Sequence, residues 1–479
     1  MIASPVGNES GAGQCMVMAF RALQAASHRN IDVPLAIRKD RLKRLGVLLE
    51  QNRSNFEAVI SEDFGHRSKH ETRFAEAVIV EAAIRHASRH VAQWMAPRRV
   101  TTDLHFLPGS NRLVAQPLGV VGIIAPWNFP LMLSLGPVVG ALAAGNLVMI
   151  KPSELAPRFS ACLNNAVKER FDAEEIVVVE GGPAVSESFA TLPFDHLLFT
   201  GSTRVGKFVA ASAAKNLTPV TLELGGKSPA IIDRSADLAQ AARRIAFGKL
   251  LNAGQTCIAP DYVLCPADLQ EKFVELLFAA VATLYGSDPS NPDYTSIIDA
   301  AHYERLQRII DDAAVKGARI ERRADKPEEW ESVRKFPPSL ILATNDDMLV
   351  RREEIFGPIL PVIPYAHREE AIAFVNARER PLALYWFGTD RKARRRVLQE
   401  TIAGGVTVND CLMHIGQERQ PFGGVGASGS GSYHGEWGFR TFSKEKPIFY
   451  QSRLSWIDLL LPPYGRAFDQ FFRLLRWII

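Results

Sequence analysis

The chain is poor in what would bind it covalently, hold a metal or cross a membrane. Its 479 residues include five cysteines, an odd number scattered along the sequence with no C-x-x-C pair. That excludes a disulfide framework and a zinc ribbon, and it fits a reducing cytoplasm. No stretch reaches the roughly 18 to 20 uninterrupted apolar residues of a membrane-spanning helix. An excess of one charge is also missing: 56 basic side chains face 52 acidic ones, a net +4 too even to point to nucleic acid. The densest basic run, residues 391–396 in DRKARRRV, reads as a solvated helix face. There is no internal repeat and no low-complexity tract. The opening MIASPVGNESGAG has neither a basic start nor an apolar core, which excludes a secretory signal and predicts a mobile tail over residues 1–19.

What is present is an ordinary globular composition, 47% hydrophobic and 23% charged, in a chain too long for one core. Residues 24–110 carry helical spacing, as in Leu42, Leu45, Leu48 and Leu49, with a second amphipathic run over 74–94. The period then changes. The short apolar runs GVVGIIA, NLVMIK, EIVVVEG, DHLLFTG, PVTLELGG and PAIID alternate with helical stretches between residues 119 and 233, the pattern of a parallel sheet covered on both faces. A second alternation follows residue 237, through YVLC, PSLILA, ILPVIPY, ALYWFG and GVTVND. The expectation is two doubly wound α/β domains, a dinucleotide-binding unit over 20–225 and a catalytic unit over 226–431. The end, WIDLLLPPYGRAFDQFFRLLRWII, closes in an amphipathic helix. It either packs on the protein or a second subunit, or makes weak contact with a membrane surface.

The chemistry centres on GQTCIAP, residues 254–260, where Cys257 follows Gly254, Gln255 and Thr256 instead of the apolar neighbours a buried cysteine prefers. Such a thiol is placed for access. Glu223, in LELGGK, is a carboxylate inside an apolar strand; burial would raise its pKa toward that of a general base, and a salt-bridged structural role is the alternative. Asn128, in APWNFP, follows a strand and precedes a helix, so its amide either donates to an oxyanion or caps that helix. Gly201 to Gly206, GSTRVG, opens a helix after a strand: Ser202 or Thr203 can cap it, and its free N–H groups favour a phosphate, although a plain capped turn would read the same. Lys151 and Glu154, in KPSE, end a strand where an acid can take ribose hydroxyls and a lysine can meet a phosphate, which leaves NAD and NADP both open. EIFGP and PFGG pass alone as loops. Cys411, close to Asn409 and His414, is the rival nucleophile, on the poor evidence of short sequence distance.

In one order, APWNFP, KPSE, FTGSTRVG, LELGGKSP, GQTC, EEIFGP and PFGGVGASGSG resemble the aldehyde dehydrogenase superfamily from about residue 20 to 450. SGSGSYHG and the HYERLQRII segment resemble its class-three branch, whose substrates are fatty, aromatic and coniferyl aldehydes. The resemblance implies NAD(P)-dependent oxidation of an aldehyde to its acid. It makes Cys257 the nucleophile, Glu223 the base for the hydrolytic water, and Asn128 with the Cys257 N–H the oxyanion site. Cofactor contacts fall to Trp127, Lys151, Glu154, Gly201, Ser202, Gly206, Leu224, Glu354 and Phe356, with no metal. It further implies a homodimer joined by an element built from residues 98–116 and the region beyond 432. Acyl transfer to coenzyme A, or a non-catalytic protein keeping the fold, are the competing readings. If the helix after Pro130 lines the entry channel, Phe129, Met132 and Gly136 fall near one face and Gly136 leaves room for a bulky substrate.

Overall fold

The computed structural model describes residues 6–322, 327–455 and 461–478. The apolar runs between residues 119 and 224 become strands of a six-stranded sheet. Its order is Gly429–Ser430, Val220–Leu224, His196–Gly201, Val120–Ile124, Leu147–Lys151 and Ile176–Val178. All neighbours are parallel except the first pair. Continuous apolar sequence is required because alternate residues enter different cores: Val121, Ile123, Val148, Ile150 and Leu198 belong to one, and Val120, Ile124, Leu147, Met149, Leu197 and Phe199 to the other.

That second face corrects the expected tail. Residues Val6–Arg29 form a helix, not a mobile segment, and its stripe Met16, Phe20, Leu23 and Ala26 is buried against the sheet, with Phe20 edge-on to Phe194 at 5.1 Å. Spacing of four, three and three residues is helical; the polar and small residues before it hid the pattern. The helical stretch expected to reach residue 110 stops at Met95, and the chain from Arg98 is extended.

A second sheet of seven strands runs Arg319–Arg322, Ser339–Leu342, Ile359–Tyr365, Tyr262–Pro266, Pro229–Ile232, Ala383–Phe387 and Gly405–Val408. It is parallel except at Arg319–Arg322. The change of sheet falls between Leu224 and Pro229, while Gly429–Ser430 returns to the first sheet against Glu223 and Leu222. A third, antiparallel sheet joins Arg98–Val100, Ser110–Pro117 and Ser443–Tyr450. The terminal helix Arg466–Ile478 lies near the short turn Leu104–Phe106. No helix among the described residues is long and apolar enough to cross a membrane.

Candidate active site

Cys257 stands where two cavities meet. One, of about 1010 Å³, has walls of Phe74, Phe129, Met132, Phe247, Met413 and Tyr433. The other, of about 760 Å³, is walled by Trp127, Gly201, Ser202, Gly225, Glu354 and Phe356. Leu133, Thr200, Glu223, Leu224 and Cys257 line both. The thiol keeps partial exposure onto these spaces while sitting deep in the molecule. Burial, and then the carboxyls of Glu354 and Glu223, push it up to about 12, so it is protonated at neutral pH in this state.

Glu223 comes from the strand Val220–Leu224, two residues before Gly225. It is 3% exposed, and neither carboxyl oxygen has a hydrogen-bond partner among the described residues. Burial raises it well above the ordinary carboxyl range. A salt-bridged structural glutamate would have a cation here; none bonds to it.

Asn128 does not cap the helix Pro130–Ala144. Glu76 does that, its Oε2 accepting from Leu131 N at 2.8 Å and Met132 N at 3.1 Å. The Asn128 amide instead donates to the carbonyl of Gln255 at 3.1 Å, within the GQTC loop, and its own carbonyl accepts from Arg67 Nη1 at 3.0 Å. Arg67 and Glu76 are themselves paired at 2.9 Å with both side chains fully buried. Glu76 belongs to a π-helical turn, Arg73–Ala77, that also sets Phe74 and Ala75 on the wall of the larger cavity. Turns of this kind often mark functional sites.

On the other side, Ser202 caps the helix Thr203–Ala214 by accepting from Val205 N at 3.3 Å, and Gly201 and Ser202 line the second cavity. Gly206 is a packing position, where a Cβ would lie 2.7 Å from Leu224 Cδ2. Lys151 and Glu154 end the strand Leu147–Lys151 outside the walls of both cavities; Lys151 Nζ donates to Pro152 O at 2.6 Å and lies 3.8 Å from Glu154 Oε2. Burial lowers the lysine. Trp127 meets Phe356 edge-on at 5.5 Å and His302 at 5.0 Å. Glu354 is pushed up to about 8 by burial and by Asp261, and its Oε1 lacks a partner. A Cβ at Gly225 would collide with that carboxyl, which would have to move aside.

The groups that hold Glu354 and Phe356 escaped the sequence reading. Lys227 pairs with Asp261 and donates to the carbonyls of Val350 and Glu353, each at 2.9 Å. Asp261 Oδ1 accepts from Ile355 N at 2.9 Å, and Arg305 donates to the carbonyls of Glu354, at 3.1 Å, and Ile355. Phe356 is thereby kept at φ +49°. Lys227 lies inside the quoted LELGGKSP and Asp261 directly follows GQTCIAP, but nothing in their spacing marks them as partners.

One expectation fails and one rival reading is removed. Gly136 lines a separate small cavity, where a Cβ would sit 4.0 Å from Tyr433 Cε2, and is not on the wall of the larger one; Phe129 and Met132 are. Cys411 forms no dyad: it is buried, burial raises its thiol, and His414 Nδ1 shares a hydrogen bond with Thr407 Oγ1 at 2.8 Å. Among the described residues no three His, Cys, Asp or Glu side chains gather as a metal site.

A model of the "Aldehyde dehydrogenase family" matches residues 9–448. The chain belongs to this family. A "Probable coniferyl aldehyde dehydrogenase" of Pseudomonas aeruginosa is 49% identical over 90% of this aldehyde dehydrogenase and 89% of that protein. The substrate-bound AldH of Staphylococcus aureus superposes with a TM-score of 0.90 at 38% identity, over 96% of this chain and 99% of that one. An indole-3-acetaldehyde dehydrogenase of P. syringae, solved with NAD+ and IAA, gives 0.81 at 26% identity, over 91% and 89%. The enzyme oxidises aldehydes with NAD or NADP.

The second cavity fits such a cofactor. It offers helix N–H groups at Ser202 for phosphate, two aromatic walls, and in Glu354 an unpartnered buried carboxyl oxygen that a ribose hydroxyl can satisfy.

Proposed function

We propose that Cys257 is the nucleophile, Glu223 the general base and the Asn128 amide the oxyanion donor, acting on an aromatic or long apolar aldehyde. The observation that carries this is the position of Cys257 on the wall shared by an apolar cavity and one suited to a dinucleotide. Trp127, Gly201, Ser202, Leu224, Glu354 and Phe356 would line the cofactor, with Lys151 and Glu154 toward the adenosine end.

The thiol loses its proton to the Glu223 carboxylate, and the sulfur adds to the carbonyl carbon. Burial raises that carboxyl well above the ordinary range, so it holds a proton more strongly than an exposed carboxylate does. Charge on the carbonyl oxygen is met by the Asn128 amide and the Cys257 N–H, an effect of roughly 2.7 to 4 kcal/mol per donor. A bound nicotinamide supplies a hydride acceptor and a positive charge that favours the thiolate. Loss of hydride from the tetrahedral carbon leaves a thioester on Cys257. Glu223, once it has passed the thiol's proton to solvent, takes a proton from a water that attacks the thioester, and as the acid departs that proton returns to the sulfur and regenerates the thiol.

The apolar wall of the larger cavity supports a bulky hydrophobic substrate, and the likeness to a coniferyl aldehyde dehydrogenase supports an aromatic one. The test is kcat/KM for coniferyl, fatty and short aldehydes with each cofactor. A preference for the bulky substrates is expected; highest efficiency with the short ones refutes the assignment. Exposed Val100, Leu104, Phe106, Phe449 and Tyr450 around the antiparallel sheet support a homodimer formed there, with the terminal helix on the partner subunit, which light scattering checks.

A further inference from the structure

The backbone leading to the nucleophile is held in a conformation that residues with a Cβ avoid. Asn252, Ala253 and Gly254 are left-handed in succession, at φ +54°, +51° and +75°. Strain of this kind persists only where surrounding groups over-determine it. Here they do. Asn252 N–H donates to both oxygens of the buried Glu71 carboxyl at 3.2 Å, and Glu71 is fixed in turn by Thr295 Oγ1 at 2.7 Å. The Asn252 carbonyl accepts from Gln255 N and from Gln255 Nε2, each at 3.0 Å.

The side chain does something different from the backbone. Asn252 Nδ2 donates to the carbonyl of Asn128 at 2.9 Å and to that of Gln255 at 3.1 Å. The Gln255 carbonyl is also the acceptor for Asn128 Nδ2, at 3.1 Å. A ring of hydrogen bonds therefore closes through Asn128, Asn252 and Gln255, two residues before Cys257. Asn252 Oδ1 has no hydrogen-bond partner among the described residues, so these two donations orient the amide. A side chain needed merely to fill the space would not leave a buried oxygen unpaired.

We infer that Asn252 is a positioning residue, whose amide locks the Asn128 oxyanion donor to the loop of Cys257 so that donor and nucleophile keep one fixed relation. This rests on the reading of Asn128 and Cys257 given above. It predicts that Asn252 acts through Asn128, which a double-mutant cycle measures. Glycine is the informative replacement because it accepts the left-handed backbone and removes only the amide.

Asn128→Ala should lower kcat about 100-fold and Asn252→Gly about 10-fold. The double variant should be no slower than Asn128→Ala within about twofold. Cofactor Kd and the rate of Cys257 alkylation by iodoacetamide, which uses no oxyanion site, should change less than about twofold in Asn252→Gly. Multiplicative losses in the double variant, or loss of alkylation and cofactor binding together with turnover, overturn the inference and make Asn252 a general support of the loop. An Asn128→Ala variant of undiminished kcat beside an impaired Asn252→Gly would overturn the oxyanion reading itself, a separate signature. Should Asn252→Gly fail to fold, Asn252→Asp, which keeps the shape and replaces the donors with acceptors, must show the same non-additivity.

Discussion

Replacing Lys227 by methionine leaves the Asp261 carboxylate, whose side chain is 4% exposed, without its bonded cation, while the more distant charges of Lys249 and Arg305 remain. Removing one member of a buried pair costs about 3 to 5 kcal/mol. At about 2 to 4 °C per kcal/mol for a domain of roughly 200 residues, Tm falls by about 6 to 20 °C. The segment carrying Glu354 and Phe356 also loses its ties at the carbonyls of Val350 and Glu353, while Arg305 stays. The KM for the cofactor should then rise about 10-fold with a smaller change in kcat, because the lost interactions orient a binding wall and not the reacting sulfur. Differential scanning fluorimetry and kinetics at varied NAD measure the two effects. A second variant separates them. Lys227→Met with Asp261→Leu removes both charges of the pair, so stability recovers in part, although the buried Lys249 loses the favourable charge of Asp261. Neither replacement can bond the Glu353 carbonyl or Ile355 N–H, so KM should remain raised. If KM returns to the wild-type value along with Tm, the pair serves stability alone and the reasoning fails.

Glu223→Gln should still form the thioester but hydrolyse it slowly, so that intact-mass spectrometry finds an acyl adduct at Cys257; rapid deacylation removes Glu223 from the role. Met132→Trp, on the wall of the larger cavity, should raise KM for bulky aromatic aldehydes at least tenfold while sparing short ones, whereas Gly136→Ala leaves both unchanged; an equal effect of Met132→Trp on both classes refutes the placing of the substrate. His196 is lowered from 6.5 to about 4 by burial alone. Its folded pKa is depressed, so its neutral form contributes stability that is present above pH 6.5 and lost as pH falls through 4. The stability of wild type relative to His196→Gln should therefore drop by up to about 3 kcal/mol between pH 7 and 4, read from denaturant unfolding at each pH; a difference independent of pH would show that the imidazole titrates alike in both states.

Strand positions were legible, and Cys257 was singled out, because each depends on local pattern. GVVGIIA, DHLLFTG and PVTLELGG became Val120–Ile124, His196–Gly201 and Val220–Leu224 since an apolar run must be covered on both faces. Cys257 stood out because its neighbours were wrong for a core. Asn128 was ambiguous for a physical reason: whether it caps a helix depends on a rival cap, and that rival, Glu76, lies 55 residues before Leu131. Arg67, Glu71, Lys227 and Asp261 were passed over because a charged residue reads as exposed until its partner is known. The partners are remote: Glu71 meets Asn252 across 181 residues, and Asp261 meets Ile355 across 94.

The same remoteness bears on how the site is held. Local sequence builds the two sheets, yet the donor at Asn128, the loop of Cys257 and the wall at Glu354 are oriented by polar groups from the helical region before the first sheet and from the second sheet's loops. Arg67, Glu71 and Asn128 are buried and Lys227 partly so, and such pairing is worth most when both sheets are already packed around it and water is excluded. Cys257, Glu223 and Asn128 therefore come into register only in the completed fold. Variants such as Asn252→Gly and Lys227→Met should accordingly alter catalysis or cofactor binding through contacts that neither the substrate nor the reacting sulfur makes.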